Sequence, residues 1–238
     1  MNARFLAIAQ DPSIIPGVHH HCDEWCHYCP VTHRCLGFRC TEEFRKQRRR
    51  RKADSTFTSL EEAIAFTREL ARLDGSRTEE LDAIVSNPPG RSGLETADPL
   101  ASVALEYAVN AAFLLLPQTR EIMSRTPLAS GPSAEEVVLW YHLRIYMQVL
   151  RALIVRERSR GADGMVEDAI GRAKLALASI ARSRSALLSM RSAINAGQVD
   201  DLVERLDAVA VGIDARFPQA RQFVRVGLDC PAAASRCV

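Results

Sequence analysis

Ser133-Ala-Glu-Glu-Val-Val-Leu-Trp-Tyr-His-Leu-Arg-Ile-Tyr-Met-Gln-Val-Leu-Arg-Ala-Leu153 is the most apolar helical stretch of the chain. Ser133 and Glu136 have the spacing of a capping box, in which the hydroxyl accepts the N–H three residues on and the carboxylate reaches back. Beyond it, Trp140, Tyr141, Leu143, Ile145, Met147, Leu150 and Leu153 put apolar surface on nearly every side of a helix. A helix apolar all round belongs in the middle of a packed domain, so this one is expected at the centre of a bundle.

The flanking sequence supplies the partners. Asp98 as N-cap and Pro99 at the first helical position open a helix that runs to Leu116 and stops at Pro117. Downstream, Met165 to about Ile194 forms a long amphipathic helix with alanines at its contact face, and Val199 to Ala215 forms another. Phe217-Pro218 then breaks the chain before a last turn or two to Val226. Upstream, Ser59 and Glu62 repeat the capping-box spacing ahead of Leu60, Ala63, Ile64, Thr67, Leu70 and Leu73. A short helix is expected from about Thr78 to Val85, and a loop over Asn87 to Gly93. Period-2 alternation bounded by turn residues is absent. The fold class is therefore all-α, an antiparallel helical bundle with short connections, carrying a small N-terminal cysteine-rich metal-binding module.

The boundaries follow from composition. Residues 1 to 17 read as extended or irregular, since Pro12 and Pro16 discourage helix. The cysteine-rich module covers 1–40, a basic connector 41–56, the helical domain 57–229 and a tail with Cys230 and Cys237 the remainder. Residues 1–53 carry 10 Lys/Arg against 5 Asp/Glu, whereas the rest carries 21 against 24. The overall net charge of +2 argues against a surface built throughout for nucleic acid or anionic lipid. The first residues lack the basic and apolar regions of a signal peptide, and no apolar run reaches the ~20 residues that span a bilayer. A cytoplasmic location and no membrane partner are expected.

Cys22-Asp-Glu-Trp-Cys26-His-Tyr-Cys29-Pro-Val-Thr-His-Arg-Cys35 places four of the seven cysteines within fourteen residues. In a reducing compartment such a cluster points to metal rather than disulfides, and thiolates select zinc, copper(I) or iron–sulfur clusters. If the first part is helical, Cys22, Cys26 and Cys29 at i, i+4 and i+7 share one face, and the turn at Pro30 returns Cys35 to the same centre. Cys22, Cys26, Cys29 and Cys35 are the expected ligands. One Cys-x2-Cys knuckle is fewer than a structural zinc site usually has, while dense, uneven spacing with Pro after a ligand cysteine suits a [4Fe-4S] cluster. Zinc is the alternative. Cys40 reads as a spare thiol, and His19, His20, His21, His27 and His33 as substitute ligands or solvated side chains. The triple histidine is also a spot for adventitious nickel or zinc.

The Cys26-x2-Cys29-Pro-x4-Cys35 part resembles the cysteine cluster that ends the iron–sulfur-bearing nucleases related to RecB. That resemblance covers ten residues, and the nuclease carboxylate–lysine core on strands is absent, so it implies a cluster and not the nuclease activity. A wider resemblance rests on Ile-Pro-Gly-Val-x3-Cys-Asp-x-Trp-Cys-x2-Cys-Pro-x-Thr-x-Arg-Cys, residues 15–35. It is joined by Phe-Pro-x-Ala-Arg-x-Phe-Val-Arg-x-Gly-x-Asp, residues 217–229, and by the Trp140-Tyr141-His142 region between them. The chain there is similar to an uncharacterised family of bacterial proteins, departing from it at His27-Tyr28 where the family carries Glu-Arg. The resemblance implies a bacterial cytosolic origin and transfers no catalytic residue.

Three functions follow from these residues. A [4Fe-4S] cluster would serve electron transfer or redox sensing, with the bundle docking a protein partner. Zinc would instead staple a small interaction or scaffold protein. An enzyme with a scattered pocket has His142 and Tyr141 as its least implausible participants, although His142 reads better as a core histidine bonded to a neighbour such as Tyr107 or Glu106. Arg48 to Lys52 could contact phosphate, but no aromatic residues interleave to stack bases. Neither a glycine-rich phosphate loop, a nucleophile elbow nor a pair of Glu-x-x-His motifs is present.

Overall fold

The computed structural model describes residues 3–50, 57, 59–75, 98–119, 122, 131–158 and 163–229. Among them are seven α-helices and no strand. The helices are α1 (Ala3–Ala9), α2 (Leu36–Arg50), α3 (Leu60–Leu73), α4 (Pro99–Leu115), α5 (Ala134–Arg158), α6 (Asp163–Met190) and α7 (Ala196–Arg216). The chain divides into two compact units, one holding Met1–Gly90 with Val224–Val238 and the other Arg91–Phe223. The expected helix over Thr78–Val85, the loop Asn87–Gly93 and the tail cysteines lie outside the described residues.

The second unit is a ring of four helices. α5 packs on α4 and α6, and α7 closes the ring by packing on both α6 and α4. Polar pairs give the directions. Glu106 meets Arg205 and Asp98 meets Arg216 at 3.2 Å, so α4 and α7 are antiparallel. Asp207 meets Arg184 at 2.9 Å and Asp200 meets Arg191 at 2.7 Å, which makes α6 and α7 antiparallel. Tyr141 with Arg182 and Gln148 with Arg172 do the same for α5 and α6. The result is an up-down-up-down bundle, the topology that short connections allow.

The starts of α4 and α5 are those the sequence signals, whereas α6 and α7 begin two or three residues earlier than expected, at Asp163 and Ala196. The Asp98 carboxylate accepts from Leu100 N at 2.8 Å, with Pro99 at the first helical position. Ser133 Oγ accepts from Glu136 N at 3.2 Å and Glu136 accepts from Ser133 N at 2.7 Å, the reciprocal capping box. α5 is one of four equivalent positions in the ring rather than a central helix, and it buries one face: Val138, Tyr141, Ile145, Val149, Leu150 and Leu153. Leu143, expected among them, is 51 % exposed. Gly212 of α7 lets that helix press on α4, since a Cβ there would lie 2.7 Å from Leu100 Cδ1.

The first unit is smaller and less regular. Residues 3–9 form helix α1 where the sequence suggests irregular chain; Pro12 and Pro16 lie beyond its end and do not disturb it. Residues 41–50 of the stretch expected as a connector belong to α2, because Leu36, Cys40 and Phe44 recur at helical spacing and turn one face to the core; the remainder of that stretch lies outside the described residues. That face meets Phe5 of α1 and Phe66, Leu70 and Leu73 of α3. The Phe44 ring lies 5.1 Å from Phe66 and 5.2 Å from Phe57. Cys40 is fully buried in this core, and burial pushes its thiol up to about 11.

Candidate metal centre

Residues 22–29 are not the helix that would align the thiols by periodicity. Cys22 directly follows a turn that ends at His21, and residues 22–25 are irregular. Convergence comes instead from two consecutive 3₁₀ turns. Asp23 Oδ1 accepts from Trp25 N at 3.2 Å, with Glu24 in the left-handed region at φ 56°. The chain then makes the turn Cys26–Tyr28, closed by Cys29 N donating to Cys26 O at 3.3 Å. Cys29 is extended (φ −82°, ψ 123°), as the residue before a proline must be. A second turn, Thr32–Arg34, is closed by Cys35 N donating to Thr32 O at 3.2 Å.

Cys35 directly precedes α2, and its Sγ accepts from Phe38 N at 3.4 Å, so sulfur occupies the capping position. The positive end of a helix favours an anionic ligand there. The turn region is tied down by Ile15 N to Arg34 O at 2.9 Å, Arg34 Nε to Ser13 O at 2.9 Å and the Arg39–Asp11 ion pair at 2.6 Å. The Ser13 hydroxyl and the Arg39 guanidinium hold the Asp11 carboxyl well below the usual carboxylate range.

Cys22, Cys26, Cys29 and Cys35 all line one small apolar cavity of about 20 Å³. Trp25, buried with Tyr28 edge-on at 5.0 Å, closes one side. Val18, Phe38 and Leu228 add apolar wall. Burial pushes the Cys22 thiol up to about 12 and the Cys26 thiol up to about 11, and the neighbouring Cys35 adds to both. Burial likewise raises Cys35, with Cys29 contributing. The sulfurs thus sense one another, and a cation among them would offset a cost that none can offset alone.

Leu228 reaches the cavity from the far end of the sequence. Gly227 adopts φ 72°, and a Cβ there would stand 3.0 Å from Ile15 Cδ1 and 3.2 Å from Val18 Cγ2. Asp229 accepts from the backbone N–H of Arg225 at 3.0 Å and from its guanidinium at 2.6 Å, closing the turn that carries Gly227 and Leu228. Residues of the two sequence segments quoted above, 15–35 and 217–229, therefore meet at the cysteine cavity.

Donor spacing bears on what could bind. Four thiolates around one zinc at about 2.3 Å lie about 3.8 Å apart. Among the described residues, no three cysteine sulfurs lie within 4.8 Å of one another; the set that meets this limit is His19, His20 and Asp74. In a cubane each thiolate caps a separate iron, so the sulfurs stand further apart than around a single ion. Thiolate donors suit zinc and iron–sulfur clusters alike, and among the described residues the four cysteines do not form a compact ligand set.

Other expected participants lie elsewhere. None of the five histidines near the cysteines lines the cavity. His142 is half-buried on α5 and its Nδ1 donates to Leu139 O at 2.7 Å, rather than pairing with Tyr107 or Glu106; burial lowers its pKa and favours the neutral ring. Tyr141 meets Arg182. Arg48 pairs with Glu62 at 3.1 Å, and Arg45 with Glu42 at 2.8 Å, so part of the basic run serves its own unit. A cleft of about 590 Å³ in the four-helix unit is flanked by Arg216, held by Asp98, and by Arg156, stacked on Phe217 at 5.5 Å. No described helix is long and apolar enough to cross a membrane.

The chain matches no protein-family model, no curated protein and no solved structure.

Proposed function

We propose that the first unit is a cysteine-ligated metal centre and that its occupant is a [4Fe-4S] cluster held by Cys22, Cys26, Cys29 and Cys35. What supports the reading is that all four cysteines line one apolar cavity, with a proline directly after Cys29 as in many cluster-binding sequences. Bound there, the cluster would supply one-electron chemistry. The chain's residues would shield it: Trp25, Phe38 and Leu228 exclude water, and Phe38 N–H donates to the Cys35 sulfur, a contact that tunes a cluster's potential.

Electron transfer or redox sensing is the role that follows, with the four-helix unit offering its surface to a protein partner in the cytoplasm. The sequence likeness to an uncharacterised bacterial family is in keeping with this and names no reaction. Nucleic-acid binding through Arg48 to Lys52 is disfavoured by the Arg48–Glu62 pair. Zinc is the second reading, favoured by the ion-sized volume of the cavity; the protein would then be a stapled interaction protein. Anaerobic purification of the untagged chain with iron, sulfide and zinc analysis separates them. About four irons and about four sulfides per chain, lost in Cys29→Ser, are expected for the cluster. One zinc on a colourless chain would replace that reading with the stapled one.

A further inference from the structure

Beside the cysteine cavity lies a donor set that contains no sulfur. Gly17, at φ 69°, turns the chain so that His20 N donates to Gly17 O at 3.0 Å, and the rings of His19 and His20 meet edge-on with centroids 4.8 Å apart. Asp74 follows α3 as its C-cap, its N–H donating to Leu70 O at 3.1 Å. Its carboxylate is almost wholly buried, pairs with His20 Nε2 and accepts from the Gly17 N–H. One ligand atom from each of His19, His20 and Asp74 lies within 4.8 Å of the other two.

His19 supplies the second observation. Its ring is packed over Gly37 of α2, where the missing side chain makes room for it: a Cβ there would come within 3.3 Å of the ring. Its Nδ1 is buried without a hydrogen-bond partner. A neutral imidazole has one N–H and one lone pair, and a buried ring nitrogen left without a partner is poorly provided for unless a ligand completes it. The backbone N–H of Gly17 on Asp74 is the kind of outer contact that orients a ligating carboxylate.

We propose that His19, His20 and Asp74 form a second metal site, a two-imidazole, one-carboxylate set for one divalent ion of zinc type. Two nitrogens and one oxygen suit borderline transition ions rather than calcium or magnesium, which take oxygen. Three protein ligands leave a coordination position for water or another small ligand. The ion would take the place of the proton that His20 shares with Asp74 and would give the orphaned His19 nitrogen or its partner atom a role. The site is independent of what the cysteines hold.

Cobalt(II) alone is the probe, added to the untagged full chain after its cysteine centre is loaded. Titration calorimetry with parallel optical spectra should show one further equivalent bound, with ligand-field bands and no new thiolate-to-cobalt charge transfer. Asp74→Asn and His20→Gln should each weaken that uptake at least tenfold, whereas His21→Gln, outside the set, should leave it as in the parent. Should Asp74→Asn fail to fold, His20→Gln, whose side chain is 42 % exposed, carries the test. No further uptake, uptake unchanged in His20→Gln, or uptake accompanied by thiolate charge transfer would overturn the proposal.

Discussion

The two units solve the problem of staying folded in different ways. In the four-helix unit, Tyr107, Leu115, Tyr141, Ile145, Leu187, Leu206 and Ile213 are all fully or almost fully buried along the length of the bundle. Among the described residues of the first unit, Phe5, Leu36 and Cys40 are buried beneath α1 to α3 and Ile15, Val18 and Trp25 near the cysteines, with their other apolar neighbours only partly covered. Fifteen residues of it, from His21 to Cys35, contain no α-helix. A segment that buries so little apolar surface depends on something else, and metal ligation is the usual supplement in small irregular modules. The difference teaches where ligand-competent side chains collect: on the proposed reading they lie in the sparsely packed first unit, and the four-helix unit is built on its own core.

The largest effect should come from taking the metal away. Structural metal contributes about 10 kcal/mol or more to small modules, so chelation or Cys29→Ser should melt the turns around the cysteines while α4 to α7 keep their circular dichroism. Loss of the entire helical signal in one transition would show the units to be interdependent and break the contrast. Next in size, Ile145→Ala removes a fully buried side chain from α5 and should destabilise the bundle by about 2–5 kcal/mol. Thermal melts should show that loss with metal content unaltered.

Gly227→Ala probes the reverse direction. The left-handed backbone and the approach of Ile15 should cost the first unit about 1–2 kcal/mol, read as faster metal loss to a chelator. The smallest effect is expected for Asp98→Ala, which removes the cap of α4; about 1 kcal/mol is the usual cost of such a cap. It should appear in the bundle melt and leave chelator release unchanged. A shift in both readouts would mean that the two units share more than a chain.

Legibility in the sequence tracks the same divide. The bundle was readable because its signals are local: Asp98-Pro99, the Ser133/Glu136 box and a 3.6-residue period lie within a few residues of the structure they specify. In the first unit the cysteines stand out in the sequence, whereas the backbone that places them does not. α2 hides behind its arginines, although Leu36, Cys40 and Phe44 at i, i+4 and i+8 carry the helical signal. The thiols converge through two 3₁₀ turns, for which periodicity gives no cue. Asp74 bore no mark at all, since it is set beside His20 only by the packing of α3. Gly227 and Leu228 are likewise brought to the cysteines by a return of the chain over nearly two hundred residues, which no local pattern encodes.

Hydrogen exchange followed by mass spectrometry, on loaded and metal-stripped protein under matched anaerobic conditions, tests the division most directly. Stripping should abolish protection in peptides covering residues 13–40 and 224–229 and leave those of α4 to α7 unchanged. Equal loss of protection across both regions, or no loss at the cysteines, would contradict the account.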